Sequence, residues 1–190
     1  MAEHPPSDRR RKKAPKPIDE VRLRDLALAY VARFATSSGK LEQYLQRKLR
    51  ERGWAGPGEP DVSGLVARYV ELGYIDDAVY AEAKSGEMLR RGYGPRRVSQ
   101  ALSEAGIDAD LRESVAANAY EARSAAVHYA RKRRFGAFAT SRVAEPDRRA
   151  LHEKQLAAMI RAGHGFDIAR AVLDAASEEE AEQWVSEAIE

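Results

Sequence analysis

Apolar side chains recur every three or four positions along most of this chain, which is the spacing of one face of an α-helix. The first run contains Leu23, Leu26, Ala27, Tyr30, Val31 and Phe34, and the second contains Leu41, Leu45 and Leu49. No run alternates apolar and polar residues in the manner of a half-buried strand. The pattern therefore predicts an all-α protein.

Short polar side chains mark the starts of the predicted helices. Asp19, Ser37 or Ser38, and Asp61 precede the first three apolar runs. Side-chain oxygens at such positions accept hydrogen bonds from the free N–H groups of a helix's first turn. These residues therefore divide the first part of the chain into three helices.

This trio of helices recurs along the chain, and in each copy a glycine ends the second helix. The three glycines are Gly53, Gly106 and Gly163. The three predicted units span residues 18–73, 74–120 and 121–176. A three-helix unit is too small to bury its apolar faces alone, and stacking the units gives a continuous core. The sequence thus predicts three tandem three-helix repeats that form an elongated, curved body.

Two adjacent carboxylates, Asp76 and Asp77, stand in the stretch GYIDDAVYAEA. Paired carboxylates can bind a metal or share acid–base work. Adjacent residues of a helix, however, diverge by about 100° around its axis and aim poorly at one ion. We interpret Asp76 as a helix N-cap and Asp77 as a first-turn residue that favours the positive end of the helix dipole.

Charge is distributed unevenly, although 33% of the residues are charged and the formal net charge is only +2. Residues 9–16 contain six positive charges and residues 178–190 contain six acidic residues. We expect residues 1–17 to form a flexible basic arm and residues 177–190 to form an acidic helix or tail. Such segregation indicates charged partners, either nucleic acid or a protein assembled on it.

Several classes of function lack their sequence signatures. The chain contains no cysteine and four scattered histidines, and it has no phosphate-binding glycine loop and no H-E-x-x-H pair. No apolar run approaches the roughly 20 residues that span a bilayer. We therefore expect a soluble, cytoplasmic, monomeric protein that is not an enzyme and holds no cofactor or metal.

Two basic clusters are the candidate binding residues. In LRRGYGPRRV the arginines surround a tight turn with a tyrosine between the pairs, and in ARKRRFG four cations end a helix. Cations at a helix end stabilise its dipole, whereas arginine forks also bind carboxylates and phosphates, and both interpretations stay open. The candidate partner- and nucleic-acid-binding residues are Arg90, Arg91, Tyr93, Arg96, Arg97, Arg131, Lys132, Arg133 and Arg134.

The segments GYIDDAVYA (73–81), RGYGPRRV (91–98) and LSEAGI (102–107) together resemble the signature of the RecX family of bacterial recombination regulators. The resemblance extends over residues 23 to about 175. The chain departs from the family at residues 136–146, GAFATSRVAEP, which resemble an insertion. It departs again at His164, which replaces an aromatic residue.

The resemblance implies a helical-repeat protein that binds the RecA recombinase filament on single-stranded DNA. Family members lodge in the filament groove, restrain its ATP hydrolysis and strand exchange, and favour its disassembly. Contact with the DNA itself is then indirect or weak. The alternative is an autonomous DNA-binding helical protein whose basic clusters hold phosphates.

Overall fold

The computed structural model describes residues 16–140 and 147–188. Most of the predicted basic arm, residues 1–17, therefore lies outside the described residues. Within the described ranges there are ten α-helices and no strand, and one isolated parallel bridge joins Ile18 to Trp54. The predicted all-α fold of tandem three-helix repeats is confirmed.

The helices have the following bounds. They are α1 (Glu20–Val31), α2 (Ser38–Arg52), α3 (Val62–Glu71), α4 (Asp77–Arg90), α5 (Pro95–Glu104), α6 (Ala109–Ser114), α7 (Ala119–Arg133), α8 (Asp147–Arg161), α9 (Phe166–Asp174) and α10 (Glu178–Ser186). A short 3-10 turn at Gly136–Phe138 follows α7. The first unit contains α1 to α3, the second α4 to α6, and the third α7 to α9.

Side-chain caps begin the helices where the sequence indicates. Asp19, Ser37 and Asp61 each accept a hydrogen bond from the backbone N–H three residues later. The third unit was predicted to begin near Glu121, but its first helix, α7, begins two residues earlier, at Ala119. Asn118 is the N-cap, and the Glu121 side chain bonds back to the Asn118 N–H in a capping box.

Three hydrophobic clusters follow one another along the chain. The second helix of each unit contributes a fully buried residue, namely Leu41, Leu102 and Met159. Helix α7 joins two clusters, since Ala125 packs in the second and Ala126 in the third. The predicted unit boundaries stay a prediction, and the one at residue 120 falls inside α7.

The first joint, between the first and second units, is formed by the N-terminal end of α2 and the C-terminal end of α5. Ser37 Oγ donates to the carbonyl oxygen of Ala105 at 2.5 Å. Gly39 lies so close to Gly106 that a Cβ atom on Gly39 would be 2.7 Å from the Gly106 Cα. Glycine is required here because any side chain would force the two helix ends apart.

Asp77 also belongs to the first joint, which its interpretation as a first-turn residue missed. Its carboxylate accepts from the backbone N–H of Ser38 at 2.8 Å and from the Ser38 hydroxyl at 2.5 Å. The carboxylate of Asp77, a residue of α4, thus accepts a hydrogen bond from a first-turn N–H of α2 that has no partner within its own helix. Asp76 behaves as predicted, since it caps α4 by accepting from the N–H of Val79 at 2.9 Å.

The second joint, between the second and third units, repeats this geometry one unit further along. The N-terminal end of α5 meets the C-terminal end of α8, and the Gly94 N–H donates to the Ala162 carbonyl oxygen at 2.9 Å. A Cβ atom on Gly94 would lie 2.3 Å from the carbonyl carbon of Gly163. In both joints the accepting carbonyl belongs to the alanine just before the terminating glycine.

Among the described residues, the C-terminal end of α2 is met by Ile18 rather than by another three-helix unit. The Ile18 N–H donates to the Gly53 carbonyl oxygen at 2.9 Å, and the Ala55 N–H donates back to the Ile18 carbonyl at 2.8 Å. Ile18 is fully buried. The end of the first unit is therefore closed by the segment that precedes α1.

The acidic C-terminal segment forms a helix, α10, over the part that the structure describes. It packs on α7 through Ala181 and Val185, which belong to the third cluster. Arg123 of α7 donates to the Trp184 carbonyl at 2.6 Å and its guanidinium lies over the Trp184 ring. Helix α10 thus extends the third unit rather than standing apart from it.

Candidate partner-binding cleft

A basic cleft of about 610 Å³ opens on the surface beside the second joint. Its walls come from the turn before α5, the start of α5, the end of α7 and the end of α8. It is lined by Arg91, Tyr93, Arg97, Tyr129, Lys132, Arg133, Phe135, Ala158, Arg161 and Ala162. We refer to this surface as the basic cleft.

Most of the positive charge in the basic cleft is unneutralised. Within residues 16–140 and 147–188, Arg97, Lys132, Arg133 and Arg161 have no carboxylate within 4 Å. Arg91 pairs with Glu87 at 3.0 Å. Cations that crowd together without carboxylates form a site for an anion, since their field is not cancelled locally.

Aromatic rings support these cations. The Arg91 guanidinium lies 5.8 Å from the centre of the Tyr93 ring, and that of Arg133 lies 5.6 Å from the centre of the Tyr129 ring. Phe135 packs edge-on against Tyr129 with the ring centres 6.1 Å apart. A basic wall with half-buried rings suits an anion that also has an apolar or planar part, such as a nucleotide strand.

The second joint determines how far apart the two basic clusters of the sequence lie in the structure. Gly92 adopts φ 85°, a left-handed conformation that lets the chain turn from α4 into α5. Gly94 then anchors α5 on the end of α8, which brings Arg97 to the same side as Arg161. The basic cleft therefore forms only when the second and third units are joined.

His164 is buried in this joint and fixes the turn. Its Nε2–H donates to the Gly92 carbonyl oxygen at 3.1 Å, and within the described part of the chain its Nδ1 has no hydrogen-bond partner. Burial lowers the pKa of His164 below its ordinary value, and the hydrogen bond to Gly92 opposes that shift only in part. The imidazole is thus neutral in the folded protein at neutral pH.

The structure brings together five of the nine candidate residues and separates the other four. The basic cleft contains Arg91, Tyr93, Arg97, Lys132 and Arg133. Arg96 instead lines a groove between α5 and α6, and Arg90 lies along its own helix near Gly86. Arg134 is the left-handed C-cap of α7, with φ 58°.

Arg131 is the candidate residue whose contacts fit a binding role least. Its guanidinium pairs with Glu182 and, at 3.7 Å, with Glu178 of α10. It also lies 5.0 Å from the centre of the Phe138 ring, which is buried in the third cluster. Arg131 thus links α10 to α7, and the carboxylates of α10 neutralise its positive charge.

Besides two alanines, three residues of the basic cleft were not predicted from the sequence, namely Arg161, Tyr129 and Phe135. Arg161 stands two residues before Gly163, where the other two units have Glu51 and Glu104. That exchange of an acid for a base in an otherwise repeated position was a usable signal. Tyr129 follows the helical spacing of core residues, and Phe135 is a single aromatic residue just after the helix. Neither could be distinguished from a core residue in the sequence.

Two further kinds of site can be sought in the part of the chain that the structure describes. Across residues 16–140 and 147–188, no three histidine, aspartate or glutamate side chains are placed to hold a metal ion. None of the described helices is both long and apolar enough to pass through a bilayer. The arrangement of the basic cleft suits the binding of a polyanion.

Comparisons with known proteins agree on one family. A family model described as "RecX, second three-helix domain" matches residues 76–115. The regulatory protein RecX of Myxococcus xanthus is 31% identical over 170 residues, which cover 85% of this chain and 89% of that protein. The RecX protein of Halorhodospira halophila is 30% identical over 158 residues, covering 83% and 90%.

A solved structure shows the same fold. The crystal structure of RecX from Lactobacillus salivarius aligns with a TM-score of 0.62 at 22% sequence identity. The alignment covers 81% of this chain and 96% of that one.

Proposed function

The chain belongs to the RecX family of regulatory proteins, and on this premise we propose that it binds the RecA filament on single-stranded DNA and inhibits it. Inhibition lowers ATP hydrolysis and strand exchange and destabilises the filament. The activity belongs to DNA repair and recombination in the cytoplasm, and the protein acts as a monomer without catalysis of its own.

The basic cleft is the observation that supports this proposal. Four cations that have no carboxylate partner among the described residues lie beside three aromatic rings. They offer a surface for the phosphates of the filament's DNA or for acidic side chains of the recombinase. The cleft lies at the joint of two units, so a filament groove that holds both units also contacts the cleft.

Autonomous DNA binding is the second candidate function, because a basic wall with aromatic rings can bind single-stranded DNA without RecA. Salt dependence separates the two functions. Four phosphate contacts would lower the logarithm of the binding constant by about 3 for each tenfold rise in salt. An autonomous binder shows this slope with DNA alone, whereas a filament regulator requires RecA for tight binding.

The proposal is tested by RecA-dependent ATP hydrolysis on single-stranded DNA. We expect the wild-type protein to inhibit hydrolysis, and a variant with Arg97→Ala, Lys132→Ala and Arg133→Ala to lose most of the inhibition. All three side chains are exposed, so the thermal midpoint should change little.

The matched control is a variant with Arg90→Ala, Arg96→Ala and Arg134→Ala. These arginines come from the same two sequence clusters but lie outside the basic cleft. The control removes the same net charge and should inhibit normally. Equal loss of inhibition in both triple variants would show that total charge, not the basic cleft, determines binding.

A further inference from the structure

An apolar groove of about 510 Å³ lies beside the first joint. Its walls are the loop between α1 and α2, the start of α2, the loop before α4 and one side of α4. We call it the apolar groove. Three of its large side chains are exposed to solvent, namely Phe34 (50%), Tyr74 (56%) and Val79 (62%).

Packing beneath the apolar groove holds these side chains out toward solvent. The Phe34 ring rests on Tyr30, with the ring centres 5.3 Å apart, and the Tyr74 ring rests on Tyr69 at 5.5 Å. Val79 is fixed by the first turn of α4, where its N–H is bound by Asp76. The apolar groove is thus a preformed surface, which lowers the entropic cost of binding a partner.

The charges around the apolar groove favour a partner that is acidic as well as apolar. Its carboxylates are occupied: Asp76 caps α4, and Glu87 bonds to Lys84 at 2.9 Å and to Arg91 at 3.0 Å. Lys40 lies over the Tyr80 ring. In the described part of the chain Lys40 has no carboxylate within 4 Å.

A second cation, Arg33, lies beside the apolar groove and is also unpaired among the described residues. The Arg33 guanidinium lies 5.5 Å from the centre of the Phe34 ring, and among the described residues it has no carboxylate within 4 Å. Lys40 lies over a half-buried ring and Arg33 over an exposed one. Each cation can donate a hydrogen bond to a carboxylate of a partner. An apolar side chain of the same partner would then pack against Phe34 and Val79.

We propose that the apolar groove binds a protein segment in which an apolar side chain is flanked by carboxylates, while the basic cleft binds the DNA phosphates. The inference rests on the proposed function, in which that segment belongs to the recombinase. The exposed Phe34 and Val79 side chains that line the groove offer a phosphate backbone no hydrogen bond and no charge. The basic cleft, by contrast, has no carboxylate in its lining.

The apolar groove and the basic cleft adjoin at one ion pair, which suits a partner made of protein and DNA together. Glu87 lines the apolar groove, and its partner Arg91 lines the basic cleft. Hydrogen bonds from Lys84 and then from Arg91 lower the pKa of Glu87, so this bridging carboxylate stays charged at neutral pH.

The test compares two valines with the same substitution. Val79 and Val21 both lie in the first turn of a helix, with 62% and 67% of their surface exposed, but only Val79 lines the apolar groove. Val79→Asp adds a charge that repels an acidic segment, and Val21→Asp adds the same charge elsewhere. Binding is measured with a bacterial RecA free of DNA, with its filament on oligo(dT), and with oligo(dT) alone.

We expect Val79→Asp to weaken binding to DNA-free RecA by about tenfold or more, the effect of losing one apolar anchor. Val21→Asp should bind as the wild type does, and neither change should alter binding to oligo(dT) alone. Tyr74→Ala is a second variant that adds no charge, and it should weaken RecA binding in the same direction. Thermal melting confirms that each variant is folded.

The other outcomes each overturn a defined statement. Normal RecA binding by both Val79→Asp and Tyr74→Ala would refute the apolar groove as the protein-binding surface and leave the proposed function intact. A parallel loss of oligo(dT) binding would show that the apolar groove contacts nucleic acid instead. If the wild-type protein bound neither RecA nor its filament, the proposed function would be wrong, and so would the proposed partner of the apolar groove.

Discussion

Asp76 and Asp77 are neighbours of the same residue type, yet they stabilise different parts of the molecule. Asp76 caps its own helix, and Asp77 binds Ser38 across the first joint. The difference follows from the helical geometry, because adjacent side chains leave the helix about 100° apart. Only one of the two can therefore face the neighbouring unit.

We expect Asp76→Ala to lower the free energy of unfolding by about 0.5–2 kcal/mol, the usual effect of a lost N-cap. The measurement is denaturant unfolding of the purified variant. Asp76→Asn is the control, since asparagine keeps a capping oxygen and should retain most of the stability. A rise in the wild-type melting temperature on adding divalent metal, absent in Asp76→Ala, would contradict the capping role.

His164 should make stability depend on pH. The pKa of His164 is lower in the folded protein than in the unfolded chain, where it is near 6.5. As pH falls below about 6.5, the unfolded chain binds a proton that the folded protein does not, so the free energy of unfolding decreases. One proton gives a slope of at most about 1.4 kcal/mol per pH unit.

The measurement is denaturant unfolding between pH 7 and pH 5. His164→Gln should reduce this pH dependence, because glutamine does not titrate and its amide can still donate to Gly92. His128 is exposed, so His128→Gln is the matched substitution with which His164→Gln is compared. An unchanged slope in His164→Gln would show that other groups produce the acid sensitivity.

Among the helices and joints, the sequence predicted local features and missed distant ones. The caps at Asp19, Ser37 and Asp61 were predictable, because a capping side chain bonds within its own first turn. The contact of Gly39 with Gly106 was not, because it depends on how two units stack. Nothing near Gly39 in the sequence distinguishes it from a glycine in an ordinary helix.

The candidate site was predictable to a similar extent. The sequence located Arg97 and Lys132 as parts of two basic clusters, since consecutive cations are visible without a fold. It did not show which cations share a surface or that Arg161 joins them. Nor did it show that Arg131 turns toward Glu182, because that pairing depends on where α10 packs.

The joints should be sensitive to the addition of a single methyl group. Gly94 and Gly165 are both helix N-caps without a side-chain bond, at φ −78° and −65°. A Cβ atom on Gly94 would overlap Gly163, whereas one on Gly165 would have no atom within 4 Å. We expect Gly94→Ala to destabilise the protein by about 1–3 kcal/mol or more, as overpacking does, and Gly165→Ala to cost less than about 1 kcal/mol.

Thermal unfolding followed by circular dichroism measures both glycine variants. Gly94→Ala should also reduce inhibition of RecA, since the basic cleft depends on the second joint. If Gly94→Ala were as stable as Gly165→Ala, the close approach at the second joint would be wrong.

At the scale of the whole molecule, the two joints place the first and third units on opposite ends of α5. The first joint uses the C-terminal end of α5 and the second uses its N-terminal end. Ten residues of helix separate the two ends by about 15 Å. This arrangement extends the molecule along one direction, as stacked repeats do.

We therefore expect the radius of gyration to exceed about 16 Å, the value for a compact domain of this length. Small-angle X-ray scattering measures it, and a chain that begins at Lys16 removes the contribution of the arm. Far-UV circular dichroism should show helix without strand. A radius near the compact value would show that the first and third units fold back on one another.

Each joint depends on a pair of glycines and on the carbonyl just before the second of them. The surface side chains beside the joints, such as Val79 next to one and Lys132 next to the other, take no part in that contact. A unit copied by gene duplication would thus keep its connection to its neighbours while its exposed residues diverged. The apolar groove and the basic cleft lie beside different joints, so a change in the side chains of one need not weaken the assembly of the other.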